Sequence, residues 1–175
     1  MKEFSNELLQ AVKMMGISAR TAPKANGLDF LEIKVLNEEE TVKLGKAMKE
    51  YGLSSGKRNF ERDGENVMNS QAVLLISING EKHAGLNCGA CGYNSCSELL
   101  NHEGIEFDGP ICAWRLIDLG IALGSAVKTA SIFNLDNRIM YRAGVVAKST
   151  GIIAGEIVVG VPVSCSGKNI YFDRK

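Results

Sequence analysis

Cysteine spacing constrains this chain more than any other feature. Four of its five cysteines stand as Cys88-Gly89-Ala90-Cys91-Gly92-Tyr93-Asn94-Ser95-Cys96, followed by fifteen residues and then Cys112. Such clustering makes the cysteine question one about a single site, and three chemistries compete for it. A four-iron cluster needs four thiolates converging from different directions. A tight loop supplies three of them when glycines such as Gly89 and Gly92 let the backbone bend around it, and its N–H groups then face the inorganic sulfides. Structural zinc also uses four cysteines, but as two Cys-x-x-Cys turns, and here the second pair is absent. A redox dithiol would need only Cys88 and Cys91 and would leave Cys96 unexplained. The leading expectation is a [4Fe-4S] cluster with Cys88, Cys91, Cys96 and Cys112 as ligands.

Composition limits the setting of that site. The chain has 175 residues, 45% of them hydrophobic and 23% charged, enough to build a core without disulfides. Twenty basic side chains balance twenty acidic ones and the aromatic fraction is 6%, which argues against a nucleic-acid groove or charge-driven attachment to anionic lipid. No apolar run approaches the roughly 20 residues that a membrane-spanning helix needs. The start, Met1-Lys2-Glu3-Phe4-Ser5, lacks the pattern of a secretory signal. A cytoplasmic location is therefore expected, with cysteines that are not disulfides.

Hydrophobic patterning predicts interleaved helices and strands. Asn6 to Met15 reads as an amphipathic helix ended by Gly16, followed by a polar loop from Ile17 to Gly27. Phe30 to Leu36 alternates as a strand does. Asn37 before Glu38-Glu39-Glu40 reads as a helix start, with Gly52 as its stop. Leu53 to Asn69 is the most polar stretch, expected as a surface loop around a short helix. Ala72 to Ile78 is a near-continuous apolar run, the mark of a strand covered on both faces. Trp114 to Phe133 reads as a long apolar helix, with Gly120 and Gly124 spaced for close helix packing. A helical patch from Arg142 to Thr150 and a strand from Glu156 to Val163 complete the pattern. The expectation is one α/β domain over residues 1–175, with a cluster-binding segment inserted at 84–113.

The spacing Cys88-x2-Cys91-x4-Cys96 with a distal Cys112 resembles the cluster domain of electron-transport-complex B subunits and of the corrinoid iron–sulfur protein. It differs from the tighter spacing of bacterial ferredoxins. The whole chain resembles a family of small prokaryotic proteins described as containing a ferredoxin domain. That resemblance implies a cofactor and no particular reaction.

A second resemblance, to nitroreductase-like flavoproteins, rests on the order of segments. Ser18-Ala19-Arg20 and Ala22-Pro23-Lys24-Ala25-Asn26 precede the first strand, a long helix lies centrally, and Ile157-Val158-Val159-Gly160-Val161-Pro162 precedes a tail with Lys168 and Arg174. It implies an α+β fold, a nitroreductase-like mixed sheet flanked by helices, in a homodimer that binds FMN between subunits. Arg20 and Lys24 would meet the FMN phosphate, completed by Lys168 or Arg174, and Asn26 would bond the isoalloxazine ring. The chain departs from that pattern in two places: one basic residue of the opening motif is missing, and Gly27-Leu28-Asp29 stands where Gln-Pro-Trp is usual.

Together these readings predict a redox protein that passes electrons between a [4Fe-4S] cluster and FMN, with NAD(P)H or a redox partner protein as counterpart. The alternatives are a flavin-free cluster protein acting as an electron carrier or sensor, and a zinc-stabilised interaction domain. Arg20, Lys24 and Asn26 can equally be read as solvated loop residues. His83 and His102 read as surface histidines, Cys165 as a thiol without a ligand role, and Trp114 as either a cluster shield or a core aromatic. Gly52 to Arg58 has the wrong glycine spacing for a phosphate loop. No side chain stands out as a general base or nucleophile.

Overall fold

The structure is a computed structural model that describes residues 4–80 and 82–172. Helix α1 spans Ser5–Thr21, strand β1 Leu31–Leu36, helix α2 Glu38–Ser55, helix α3 Phe60–Met68 and strand β2 Ala72–Ile78. After a long excursion come α4 (Ala113–Ile132), the two-residue β3 (Asp136–Asn137), α5 (Tyr141–Ser149) and β4 (Ile157–Ser164). The strands form one sheet in the order β1-β2-β4-β3.

Strand β2 explains both the layering and its own sequence. Its odd and even side chains point to opposite faces, and every residue in it is buried. Leu74, Ile76 and Ile78 pack with Leu8, Val12 and Met15 of α1 and Leu119, Ala122 and Ala126 of α4. Val73 and Leu75 pack on the other face with Leu44 and Met48 of α2 and Val145 and Val146 of α5. Helices thus cover both faces, so β2 is apolar at every position but the buried Ser77.

The α+β class and a sheet flanked by helices are as expected. Within the sheet, however, every described pairing is antiparallel rather than mixed. A continuous apolar run reports coverage of both faces and is blind to strand direction.

Several boundaries also shift, each for a local reason. Gly16 does not end α1: it lies on the buried face, where an added Cβ would already touch Ile33 and Leu74 at 3.5 and 3.6 Å. The helix continues to Thr21 and stops before Pro23, with Ala22 extended as a residue preceding proline prefers. Ser18, Ala19 and Arg20 are consequently helical rather than part of a loop. Helix α2 starts as expected, with a reciprocal capping box between Asn37 and Glu40, but passes Gly52 and ends at left-handed Gly56. The polar stretch before β2 contributes to the core, since α3 buries Phe60, Asp63 and Val67. Gly45 and Gly64 let α2 and α3 touch, because a Cβ on either would stand 2.7 Å from the other's carbonyl oxygen.

Gly120 and Gly124 do not serve close packing inside this chain, since a Cβ on either would meet nothing within 4 Å. Helix α4 buries its opposite face, and Leu116, Ile117 and Ile121 beside the glycines are 40–48% exposed. Among the described residues, no helix is long and apolar enough to cross a membrane.

Candidate functional site

The cysteine excursion leaves the sheet where β2 ends. There Asn79 N–H donates to Phe30 carbonyl, and Glu156, just before β4, donates to Ile78 carbonyl. The excursion folds back at a bridge between His102 and Gly109, with mutual backbone bonds of 2.8 and 3.0 Å. Two ion pairs fasten its return to the turn just after α2 and to helix α5. Lys57 lies 2.5 Å from Glu106, and Lys148 lies 3.0 Å from Asp108.

Cys88, Cys91, Cys96 and Cys112 all line one recess, walled in addition by His83, Tyr93 and Trp114. All four thiols are free. Among the described residues, no three His, Cys, Asp or Glu side chains form a group ready to hold a metal ion, so it is the shared recess that relates the four thiols.

Local backbone geometry arranges these thiols. Gly89 and Gly92 adopt φ of 74° and 92°, left-handed values that glycine takes without steric cost, and Gly92 N–H bonds back to Gly89 carbonyl at 2.9 Å. Asn87, also left-handed, braces the other end of the loop. Its side-chain oxygen accepts from Cys96 N–H at 2.8 Å, while its own N–H points at Cys96 Sγ at 3.3 Å. Cys112, only 5% exposed, is the N-cap of α4 and accepts there from Arg115 and Leu116 N–H. A thiolate at that place sits at the positive end of the helix dipole. Trp114 donates its indole N–H to Cys88 Sγ at 3.3 Å. The Ala90 N–H first, and then the Trp114 indole, hold the Cys88 thiol below its ordinary pKa against a smaller opposing effect of burial.

This donor set fits an iron–sulfur cluster. Four cysteines line one recess, two of them receive N–H bonds, and a third lies at a helix N-terminus. Such features offset the negative charge of an iron–sulfur core.

The segment from Ala22 to Asp29 lies beside this recess, joined to it through Asn26, whose side-chain amide donates to Ala84 carbonyl at 2.9 Å. Arg20 and Lys24 converge on Asp29. Arg20 Nη1 is 2.7 Å from Asp29 Oδ2 and also 2.7 Å from Leu31 carbonyl, yet its side chain remains 47% exposed. Lys24 is only 4% exposed and caps the end of α1, donating to Ala19 and Arg20 carbonyls, with Asp29 at 3.9 Å. Burial lowers the Lys24 pKa more than nearby Asp29 raises it. Burial pushes the Asp29 carboxyl up, but the Arg20 hydrogen bond, Leu31 N–H and the charges of Arg20 and Lys24 together hold it below the usual range. Arg20 and Asn26 therefore keep surface that a ligand could meet, whereas Lys24 does not.

Lys168 is exposed in the tail after β4. That tail leaves the sheet where β2 begins, since Val163 pairs with Ala72, whereas Arg20 at the end of α1 bonds Leu31 at the opposite end, where Leu31 pairs with Ile78. Seven strand residues, roughly 20 Å, separate those ends, so one chain does not bring Lys168 to Arg20. Arg174 lies outside the described residues. His102 is exposed, and His83, also exposed, stands at the recess. Cys165 sits elsewhere, lining an apolar groove with Phe4, Met14 and Phe133.

Sequence reasoning missed the pair that ties these parts together. Arg115 is fully buried and its Nη1 lies 2.7 Å from Asp118 Oδ2. Its Nε donates to Lys82 carbonyl at 2.7 Å, and Nη1 also reaches Ala25 and Leu28 carbonyls at 3.3 and 3.4 Å. Asp118 accepts from Ala25 N–H at 2.7 Å. The guanidinium also covers the Phe30 ring at 4.6 Å. One signal was available: two opposite charges at i, i+3 on the buried stripe of an otherwise apolar helix.

Comparison with known proteins places this arrangement. Residues 108–174 match the family described as "Uncharacterized protein containing a ferredoxin domain (DUF2148)". That stretch contains Cys112 but not the other three recess cysteines. An uncharacterized protein of Archaeoglobus fulgidus is 49% identical over 99% of this chain and 95% of its own length. Among solved structures, a nitroreductase family protein from Clostridium novyi NT aligns with TM-score 0.56 and 15% identity, covering 92% of this chain and 77% of its own. A nitroreductase with bound FMN from Bacteroides fragilis aligns with TM-score 0.57 and 10% identity, covering 95% and 81%. At such identities the likeness establishes the fold alone.

Proposed function

This chain belongs to the ferredoxin-domain family just described, and from that premise we propose that it is a redox protein holding a [4Fe-4S] cluster on Cys88, Cys91, Cys96 and Cys112. The observation that carries this reading is the gathering of all four thiols around one recess, with N–H donors on two of them. Residues 84–113 are then the cluster-binding segment of one domain in a cytoplasmic protein. The cluster, when bound, supplies one-electron transfer; the chain supplies the thiolates, the N–H bonds that set their charge, and the burial of Cys112.

The finer reading adds FMN and makes the chain an oxidoreductase that passes electrons between the two cofactors, with NAD(P)H or a partner protein as counterpart. The nitroreductase-like fold supports it, as does the position of Arg20 and Asn26 next to the recess. In this reading two copies form a homodimer through the exposed face of α4, where Leu116, Ile117 and Ile121 flank the open glycines. Such a dimer is also the route by which a partner's tail could reach Arg20 at the end of α1. A flavin-free electron carrier is the second reading, and the internal commitment of Lys24 favours it.

The test is anaerobic purification followed by a visible spectrum with iron, sulfide, zinc and flavin analysis on one sample. About four iron and four sulfide per chain, with broad absorbance bleached by dithionite, is the result expected for four thiolate ligands. Stoichiometric zinc without iron overturns the redox reading. Structured flavin bands separate the oxidoreductase from the carrier.

A further inference from the structure

Trp114 stands in the first turn of α4, two residues beyond Cys112, and is 39% exposed. A large aromatic so placed could serve as a lid over the recess, which it helps to line. Its polar end does something more specific. The indole N–H, the only donor that ring has, is aimed at Cys88 Sγ at 3.3 Å.

The chain treats its four thiols unequally. Cys96 Sγ receives a backbone N–H from Asn87, which no side-chain substitution would remove directly. Cys88 Sγ receives the only N–H bond from a side chain to a recess thiol among the described residues, and that side chain belongs to another element 26 positions along the chain. Nothing about cysteine spacing requires such a bond. It forms only because the loop carrying Cys88 is folded against the start of α4.

Resting on the cluster reading above, we propose that Trp114 sets the reduction potential of the cluster through its N–H bond to Cys88. A donor at a ligand thiolate withdraws electron density and favours the more negative, reduced state. Gain of one electron from a low-potential one-electron donor makes the cluster more negative by one charge, with no bond broken and no proton taken up. The indole dipole is worth more after that step than before it. Trp114 is accordingly a positioning and tuning residue, not a ligand.

Trp114→Phe keeps an aromatic ring at the recess and removes the donor. In the iron-loaded protein it should lower the equilibrium constant for reduction about tenfold, which is about 59 mV for a one-electron couple. Iron and sulfide content should stay unchanged. A second readout is vibrational: in the wild type, exchange into deuterium oxide should shift the Fe–S stretching bands, and in the variant that shift should shrink to the part owed to the backbone N–H donors. An intact cluster with an unchanged midpoint overturns the proposal while leaving the cluster reading in place. A wild-type protein that holds zinc and no iron overturns the reading on which it rests. Should the variant fail to hold iron, wild-type protein labelled with 15N at the indole of its single tryptophan decides: a hyperfine coupling from the reduced cluster to that nitrogen supports the proposal and its absence overturns it.

Discussion

Arg115 and Asp118 meet at 2.7 Å with both side chains shut away from water, one helical turn after Cys112. Through Lys82, Ala25 and Leu28 carbonyls and Ala25 N–H they join three segments that are remote in sequence. These are the start of α4, the loop after α1 and the entry to the cysteine excursion. The recess is thereby set on a rigid base, which thiolates facing a preformed cluster require.

Breaking that pair should be costly. Arg115→Met leaves Asp118 charged and buried and strips several carbonyls of their donor, so about 3–5 kcal/mol of stability should be lost. Urea unfolding of the two proteins measures it, and a loss below about 1 kcal/mol would contradict the role given to this pair.

The four recess cysteines should separate cleanly from the fifth. Cys112→Ser keeps a good N-cap for α4, so the fold should survive while one iron ligand is lost. Cys165→Ser, beside Phe4 and Phe133, should retain full iron and sulfide. Metal analysis on both variants checks this, and equal iron loss in the two would remove the distinction.

Gly120 tests the proposed homodimer. Within one chain a side chain there meets nothing within 4 Å, so Gly120→Leu should fold normally. Across a packed α4 face it should weaken association about 30-fold, since overpacking costs about 2 kcal/mol. Sedimentation equilibrium reads this directly, and a monomeric wild type or an unaltered dimer would refute the interface.

Alkaline stability should depend on Tyr171. Its hydroxyl, 2.8 Å from Ser70 Oγ, is pushed up to about 12 mainly by burial. A neutral acid whose folded pKa exceeds its unfolded value of 10.0 stabilises the fold fully below pH 10 and loses that contribution as pH rises towards 12. The loss should reach about 3 kcal/mol for a shift of about two units. Tyr171→Phe should flatten that decline, as followed by unfolding free energy between pH 9 and about 12; an identical slope in both proteins would show that another group governs it.

Much of this protein was determined locally and could be read from the chain. The spacing from Cys88 to Cys96 fixes a tight loop, Gly89 and Gly92 mark its bends, and Asn37 with Glu40 caps α2. The run Ala72 to Ile78 announces a strand covered on both faces. Each is a matter of a few neighbouring residues and their backbone preferences. Tertiary structure decided the rest. Gly16 looks like a helix stop until α1 is laid against Ile33 and Leu74, and β2 carries no mark of antiparallel pairing. Lys24 looks like a free phosphate ligand until the end of α1 occupies it. Arg115 with Asp118, and Trp114 with Cys88, join positions whose meaning exists only once α4 is folded against the excursion. Short-range geometry is written in spacing and residue type, whereas the partner of a buried charge or an indole N–H is chosen by how separate elements pack.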